Sequence, residues 1–425
     1  MTDTIFALSS GAPPAAIGVI RVSGPRARDA MLALAGRVPA PRRAALARLR
    51  DRQGAVIDEA LVLWLPGPGT ETGEDTVELQ CHGGRAVIAA VETALAALPG
   101  LRRAKPGEFT RRAFINGKID LAEAEGLADL LEAETELQRL SAMAMAGGAF
   151  SRKVEGWREE LLSLSAAVEA VLDFADEDDV ATLPGDFALK IAKLATAIKV
   201  WLDRPRAELL KEGFRVVIAG PPNAGKSTLF NCLVEAEAAI ATPIAGTTRD
   251  VLTRPVAIAG VPFLFADTAG LHDTVDDVVE AIGIERALEA LDRADLVLWL
   301  GPEGTGPVGA WEIEAQTDRT GHVSKLAPRH RISARTGEGI ENLRADLVEA
   351  ASSALPRPGE AALNERQHDL LSDARVALVQ ASEQIDPLLT AESLRVARVA
   401  FDALLGRTAT EDLLDALFGR FCIGK

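Results

Sequence analysis

One segment constrains this chain more than any other. Gly220-Pro221-Pro222-Asn223-Ala224-Gly225-Lys226-Ser227 fits the pattern G-x-x-x-x-G-K-[ST]. A short β-branched run, Arg215 to Ala219, precedes it, and a helix-like stretch, Thr228 to Leu233, follows. The order predicts a strand, a tight loop and a helix. Gly220 and Gly225 let the backbone approach a ligand, so that N–H groups ring a phosphate, and the helix N-terminus adds its positive dipole end. Lys226 then reaches the β- and γ-phosphates and Ser227 ligates Mg2+, with Asn223, Ala224, Gly225 and Thr228 completing the cradle. A parallel-sheet α/β domain is the fold that carries such a loop.

Three companions follow in order. Asp267-Thr268-Ala269-Gly270 comes after the apolar run of residues 261–266. There Asp267 can hold Mg2+ through water, and the Gly270 N–H can sense the γ-phosphate. Thr247 and Thr248 lie between the two motifs, where a mobile threonine closes on Mg2+ in GTPase switches. Ser333-Ala334-Arg335 precedes Gly337 and Gly339, where a guanine-contacting loop belongs. Together they predict a GTPase domain over residues 213–344, with strands and helices alternating. One element departs from the usual form. Guanine is commonly read by Asn-Lys-x-Asp, and the candidate here is Ala315-Gln316-Thr317-Asp318. Asp318 keeps the carboxylate that accepts from N1–H and the 2-amino group. The Asn that ties loops together and the Lys that covers the base are missing. GTP is still preferred to ATP, because adenine lacks those donors and would leave a buried carboxylate unpaired.

Outside this region the texture changes twice. Residues 1–118 read as mixed α and β, with strands at 16–22, 60–65 and 76–80 and a helix at 85–98 that stops at Pro99-Gly100. From Asp120 to about Leu210, leucines recur at helical spacing among Glu and Ala, with a break at residues 176–186. The helical, acidic texture returns after Pro356-Arg357-Pro358. A simple reading is one helical domain interrupted by an inserted α/β domain, although two separate bundles would look the same.

Charge follows the same boundaries. The net is −16, but residues 1–118 carry 16 basic and 11 acidic side chains, a net of +5. Residues 213–344 carry 12 and 18, a net of −6, and the remainder carries 18 and 33, a net of −15. A local basic face for an anion or a nucleic acid is therefore compatible with an acidic total. Arg42, Arg43, Arg48, Arg50 and Arg52 cluster early, and Arg102, Arg103, Lys105, Arg111 and Arg112 later. Each cluster taken alone reads as solvated surface charge. No apolar run approaches the ~20 residues of a membrane span, and residues 1–5 lack the features of a signal peptide. A cytoplasmic protein is expected. Three scattered cysteines, Cys81, Cys232 and Cys422, argue against a disulfide framework or a zinc cluster. Cys232 is expected to pack on the helix after the phosphate loop. Cys422 reads as a small apolar residue on the last helix.

Several longer motifs join the phosphate loop. These are Ile20-Arg21-Val22-Ser23-Gly24, the run from Gly73 to Gly84 (GEDTVELQCHGG), Pro106-Gly107-Glu108-Phe109-Thr110 and Ala113-Phe114-Ile115-Asn116-Gly117-Lys118. Gly246-Thr247-Thr248-Arg249-Asp250 and the terminal Phe421-Cys422-Ile423-Gly424-Lys425 complete the set. With them the chain resembles, over essentially its full length, the MnmE (TrmE) family of tRNA-modifying GTPases. The resemblance implies a multidomain α/β plus α architecture. Residues 1–118 would be an α+β tetrahydrofolate-binding and dimerisation domain. Residues 119–212 and 345–425 would be a discontinuous all-α helical domain, and 213–344 an inserted Ras-like P-loop GTPase domain.

It also implies a reaction and its residues. Family members work with a flavin-carrying partner, MnmG (GidA), in a heterotetramer or larger complex. They add an aminomethyl or carboxymethylaminomethyl group to C5 of the wobble uridine of certain tRNAs. A 5,10-methylene- or 5-formyl-tetrahydrofolate is the one-carbon species, and FAD belongs to the partner. GTP hydrolysis drives conformational cycling. Folate would be held by Arg21, Glu78, Lys118 and Lys425, a set suited to a pterin edge and glutamate carboxylates. K+ would lie on Asn223, Thr242, Ile244 and Thr247, standing in for an arginine finger. Mg2+ would lie on Ser227 and Thr248. Glu280, aligned on Ile282-Gly283-Ile284-Glu285-Arg286, would orient the attacking water beside Lys226, and Cys422 would act near the folate. The chain would be a homodimer with no membrane association. A ribosome-assembly switch GTPase without a bound metabolite is the alternative, and the acidic segment 345–425 counts against it. A folate-dependent transfer enzyme acting on a metabolite, with GTP as regulator, is a third reading.

Overall fold

The computed structural model describes residues 3–173, 183–235, 253–267 and 290–424. In chain order the N-terminal part forms β1 (Thr4–Leu8), β2 (Ile17–Ser23), α1 (Ala27–Ala35), β3 (Ala45–Arg50), β4 (Val56–Leu65), β5 (Thr76–His82), α2 (Arg85–Ala96), β6 (Leu101–Arg103) and α3 (Glu108–Ile115). Then follow α4 (Leu121–Glu132), α5 (Glu136–Ala146), α6 (Ala149–Asp173), α7 (Phe187–Leu202), α8 (Ala207–Glu212), β7 (Phe214–Ala219), α9 (Lys226–Glu235), β8 (Thr253–Ile258) and β9 (Val261–Asp267). The chain closes with β10 (Leu296–Trp299), β11 (Trp311–Glu314), β12 (His330–Arg331), α10 (Ile340–Ala354), α11 (Glu365–Glu383), α12 (Pro387–Leu404) and α13 (Glu411–Gly419). Packing divides it into two compact units, Met1–Ala128 with Asp402–Lys425, and Asp129–Phe401. Among the described residues no helix is long and apolar enough to cross a membrane.

The first unit is built on a six-stranded sheet of order β3-β4-β5-β2-β1-β6. Its strands pair antiparallel except β1 with β6. Period-two alternation sends Ile20, Val22, Val62, Trp64, Val77 and Leu79 into one core with Met31 and Leu34 of α1 and Val91 and Leu95 of α2. Arg21, Glu78, Gln80, Leu61 and Leu46 therefore share the opposite face. Leu46 pairs with Leu61, Leu61 with Gln80, and Arg21 with Glu78. Leu46 and Leu61 are exposed there. Helix α13 packs Leu414, Leu417 and Phe418 against Leu121 and Ala124 of α4, with Phe421 just beyond it. A bridge between Pro106 and Ile423 fixes the terminal segment. Cys422 is exposed and lies past the end of α13, not on a helix as the sequence reading has it.

The second unit carries a six-stranded sheet of order β12-β11-β10-β7-β9-β8. All neighbours are parallel except β8 with β9. One face of β7, through Phe214, Val216 and Ile218, joins Leu229 of α9 and Leu343 and Leu347 of α10. Its other face, Val217 and Ala219, packs with Val297. Alternation of strand and helix fails at two crossings. Residues 300–310 and 315–329 connect parallel strands without a helix. The first holds Gly301, Pro302, Gly304, Gly306, Pro307 and Gly309, which disfavour helix. Polar contacts fix these connections instead. Glu303 accepts from the N–H groups of Leu326 and Ala327 at 2.6 and 2.9 Å, and Lys325 Nζ donates to Glu312 at 2.5 Å.

Helices fill the rest of this unit. Trp157 of α6 meets Trp201 of α7 edge-on at 6.2 Å and lies 6.3 Å from Phe401 of α12. Helix α5 starts with a capping box, Thr135 and Gln138. Its Leu137 enters the core of the α/β sheet, and the Leu137 N–H donates to Gly260 O in the β8–β9 turn at 3.1 Å.

Candidate functional site

Because β7, β9, β10, β11 and β12 run parallel, their carboxyl ends share one edge of the sheet, the usual place for a ligand in such folds. Strand β7 ends at Ala219 and the chain turns through residues 220–225 into α9. Asn223 takes φ +63°, a left-handed conformation that asparagine tolerates better than most residues. Gly225 takes φ +93°, which favours glycine, and its surroundings are tight: a Cβ would stand 3.0 Å from Gln316 Nε2. Lys226, only 6% exposed, donates from Nζ to Gly220 O and Pro221 O, both at 2.9 Å. Burial pushes its ammonium pKa down, and the Asp267 charge works against that. Ser227 and Thr228 are exposed on the first turn of α9, and Ala224 packs against the core. Asp267 ends β9, buried and in register with Ile218 of β7.

The loops expected to read the base lie at the ends of β11 and β12. Asp318 Oδ1 accepts from Ser333 Oγ at 2.7 Å and Oδ2 from Arg335 Nε at 2.8 Å. The Ser333 hydrogen bond holds the carboxyl below its usual range, against some desolvation and with help from the Arg335 charge. Ser333 is fully buried and Ala334 packs on the core. The tie between loops that the sequence reading finds missing is made by Gln316, whose Nε2 donates to Asn223 O at 3.1 Å. Its signal in sequence is slight: an amide can donate where an Asn or Lys is usual. A second feature escaped sequence reasoning. Glu314 accepts from His322 Nε2 at 2.9 Å and Arg331 Nε at 3.1 Å, bracing the strand that leads into this loop. His322 Nδ1 faces Arg319 O at 3.0 Å, so both ring nitrogens meet acceptors, and pairing with Glu314 raises the imidazole pKa.

In the first unit, Arg21 Nη2 donates to Glu78 Oε1 at 3.0 Å and Nη1 pairs with Glu71. The guanidinium lies 6.0 Å from the Phe109 ring centre. Lys118 is exposed, and its Cε would be 2.9 Å from a Cβ on Gly73, two residues from Glu71. Arg21, Glu78 and Lys118 thus gather around the segment 71–78. Gly424 passes close to Leu8 O, beside Ala7, which pairs with Arg21. Cys81 is buried, and burial, with the Asp58 charge, pushes its thiol up to about 12. Cys232 is half-buried against the α/β core. Thr242, Ile244, Thr247, Thr248, Thr268, Ala269, Gly270, Glu280 and Lys425 lie outside the described residues.

A glycine-bounded loop and buried lysine at the end of the central parallel strand, a buried aspartate ending the neighbouring strand and a carboxylate anchored by Ser333 go with a P-loop GTPase, a GTP hydrolase. The family model described as "MnmE helical domain" matches residues 121–422, and "GTP-binding protein TrmE N-terminus" matches residues 4–118. The chain belongs to the MnmE (TrmE) family. The protein named tRNA modification GTPase MnmE from Erythrobacter litoralis is 64% identical over 423 residues, covering 100% of both chains. Its namesake from Novosphingobium aromaticivorans is 63% identical, again covering 100% of both, and that from Rhizorhabdus wittichii is 58% identical, covering 100% of this chain and 97% of its own. Among solved structures, the cytosolic domain of the T. maritima FeoB iron transporter is 18% identical at a TM-score of 0.24, covering 46% of this chain and 92% of that one. So loose a likeness carries no argument.

Proposed function

We propose that this chain is the GTPase of a tRNA-modifying system that adds an aminomethyl or carboxymethylaminomethyl group to C5 of the wobble uridine of certain tRNAs. The observation that carries this reading is the end-to-end match to relatives named for tRNA modification, covering both termini and the G domain. The working division is three-part: 1–118, 119–212 with 345–425, and 213–344. The first part binds a tetrahydrofolate and dimerises. In support, Arg21, Glu78 and Lys118 offer charged and hydrogen-bonding groups, Arg21 and Glu78 half-buried on one sheet face and Lys118 exposed beside it. The exposed Leu46–Leu61 pair on that face suits burial against a second copy. The chain works in the cytoplasm with tRNA and with a flavin-carrying partner in a larger complex.

In hydrolysis, Lys226 neutralises charge on the β- and γ-phosphates and Glu280 orients the water that attacks the γ-phosphorus. Ser227, exposed on the first turn of α9, and Asp267 nearby suit Mg2+, with Thr248 as the switch ligand. Asn223 is exposed at the loop's apex and suits K+, joined by Thr242, Ile244 and Thr247. Such a cation would stabilise charge developing at the β–γ bridge. The exposed Cys422 and Lys425 belong to the folate end. The test is reconstitution: unmodified tRNA, the flavin partner, methylene-tetrahydrofolate, glycine or ammonium, GTP and KCl, with nucleosides read by mass spectrometry. A mass gain at the wobble uridine that vanishes without this chain is the expected result. Unchanged tRNA under active GTP turnover refutes the reading.

A further inference from the structure

We propose that Gln316 is a positioning residue that clamps the phosphate loop to the base-reading loop and sets how tightly guanine nucleotide is held. The inference rests on the reading of this site as a GTP site. Gln316 follows β11 by two residues and precedes Asp318 by two, so its backbone belongs to the base-reading side. Its side chain reaches the phosphate side, where Nε2 donates to Asn223 O at 3.1 Å. The stem runs across Gly225, with Nε2 and Cγ 3.0 and 3.3 Å from where a Cβ there would stand. Both ends of the clamp are non-glycine residues in the left-handed region, Gln316 at φ +59° and Asn223 at φ +63°. Left-handed non-glycine residues cluster where surroundings over-determine a functional geometry. One neutral amide thus fixes the distance between the group that reads guanine and the loop that rings the phosphates. A ligand gripped at base and phosphates needs that distance preset, because any slack must be ordered at binding.

The experiment measures release and affinity of a fluorescent N-methylanthraniloyl-GDP with the full chain and three variants. Gln316→Ala removes the clamp, Gln316→Met keeps a stem without a donor, and Gln316→Lys supplies a new donor to the Asn223 carbonyl. All keep a Cβ, so backbone strain at residue 316 is common to the set. Loss of one hydrogen bond predicts release about 3- to 10-fold faster in the Ala and Met variants. KM for GTP should rise by a similar factor with kcat nearly unchanged, and the Lys variant should recover wild-type release. Wild-type release from Gln316→Ala and Gln316→Met overturns the proposal, as does a Lys variant as leaky as Ala. Asp318→Asn is the companion control. If it leaves guanine preference intact, the base-site reading has failed rather than the clamp alone.

Discussion

Asp318→Asn is expected to change which nucleotide the protein prefers, from guanine to xanthine. The Asp318 carboxylate is held from behind by Ser333 Oγ at 2.7 Å and Arg335 Nε at 2.8 Å. Those bonds orient it and keep it ionised, so its remaining lone pairs suit the two donors on guanine, N1–H and the 2-amino group. Asparagine offers one acceptor and turns an N–H group toward that amino group. Xanthine carries an oxo group at the same position and accepts from the amide. Losing two charge-assisted hydrogen bonds, each worth about 1.5–3 kcal/mol, predicts GDP binding weaker by about 10²- to 10⁴-fold. Competition between GDP and XDP for wild type and variant checks this. Unchanged GDP affinity would mean that Asp318 does not read the base.

The largest stability effect is expected at Arg112. Its side chain is 0% exposed and pairs with Asp3 at 2.9 Å, Glu74 at 3.0 Å and Glu108 at 3.3 Å. It also donates to Asp3 O at 3.1 Å. Removing the guanidinium leaves the mostly buried Glu74 without its cation, while Asp3 and Glu108 keep Arg102. Breaking such a buried pair costs about 3–5 kcal/mol, and partial exposure of the acids puts Arg112→Met near the lower figure. For a unit of this size that corresponds to a melting temperature lower by roughly 6–12 °C. Acid sensitivity should change as well. Burial works to raise the carboxyl pKa values of Asp3 and Glu108, but hydrogen bonds from Arg102 and, for Glu108, the Lys105 N–H, joined by the charges of Arg102 and Arg112, more than reverse it. Depressed carboxyls contribute stability that is full above their unfolded values and is lost as pH falls through the folded ones. The variant should therefore lose less stability than wild type between neutral pH and the acid range. Calorimetric melts across that range measure both effects, and an unshifted melt would contradict the burial argument.

What the sequence made legible is what depends on local order. Glycines at 220 and 225, the following lysine and the preceding β-branched run are contiguous, so strand, loop and helix could be read directly. Asp318 and Ser333-Ala334-Arg335 followed because each sits just past a strand. Features that depend on distant partners were hidden. Arg112 reads as one more arginine in a surface cluster, because Asp3 and Glu74, which neutralise it, lie far away in sequence. Gln316 reads as a missing lysine, since its acceptor is the carbonyl of Asn223. Against the expected alternation of strand and helix, the helix-free crossing at 300–310 has a local signal in its glycines and prolines, whereas that at 315–329, with only Gly321 and Pro328, has none. Their anchors, Glu303 on the 326–327 amides and Lys325 on Glu312, were not legible.

The most direct test of a cation-assisted GTPase is hydrolysis by the purified protein in KCl and in NaCl at equal ionic strength, with Asn223→Ala beside wild type. K+ stimulation on the order of 10- to 100-fold that disappears in Asn223→Ala is expected, as for loss of one transition-state ligand. Equal rates in the two salts, or stimulation untouched by the substitution, would contradict it.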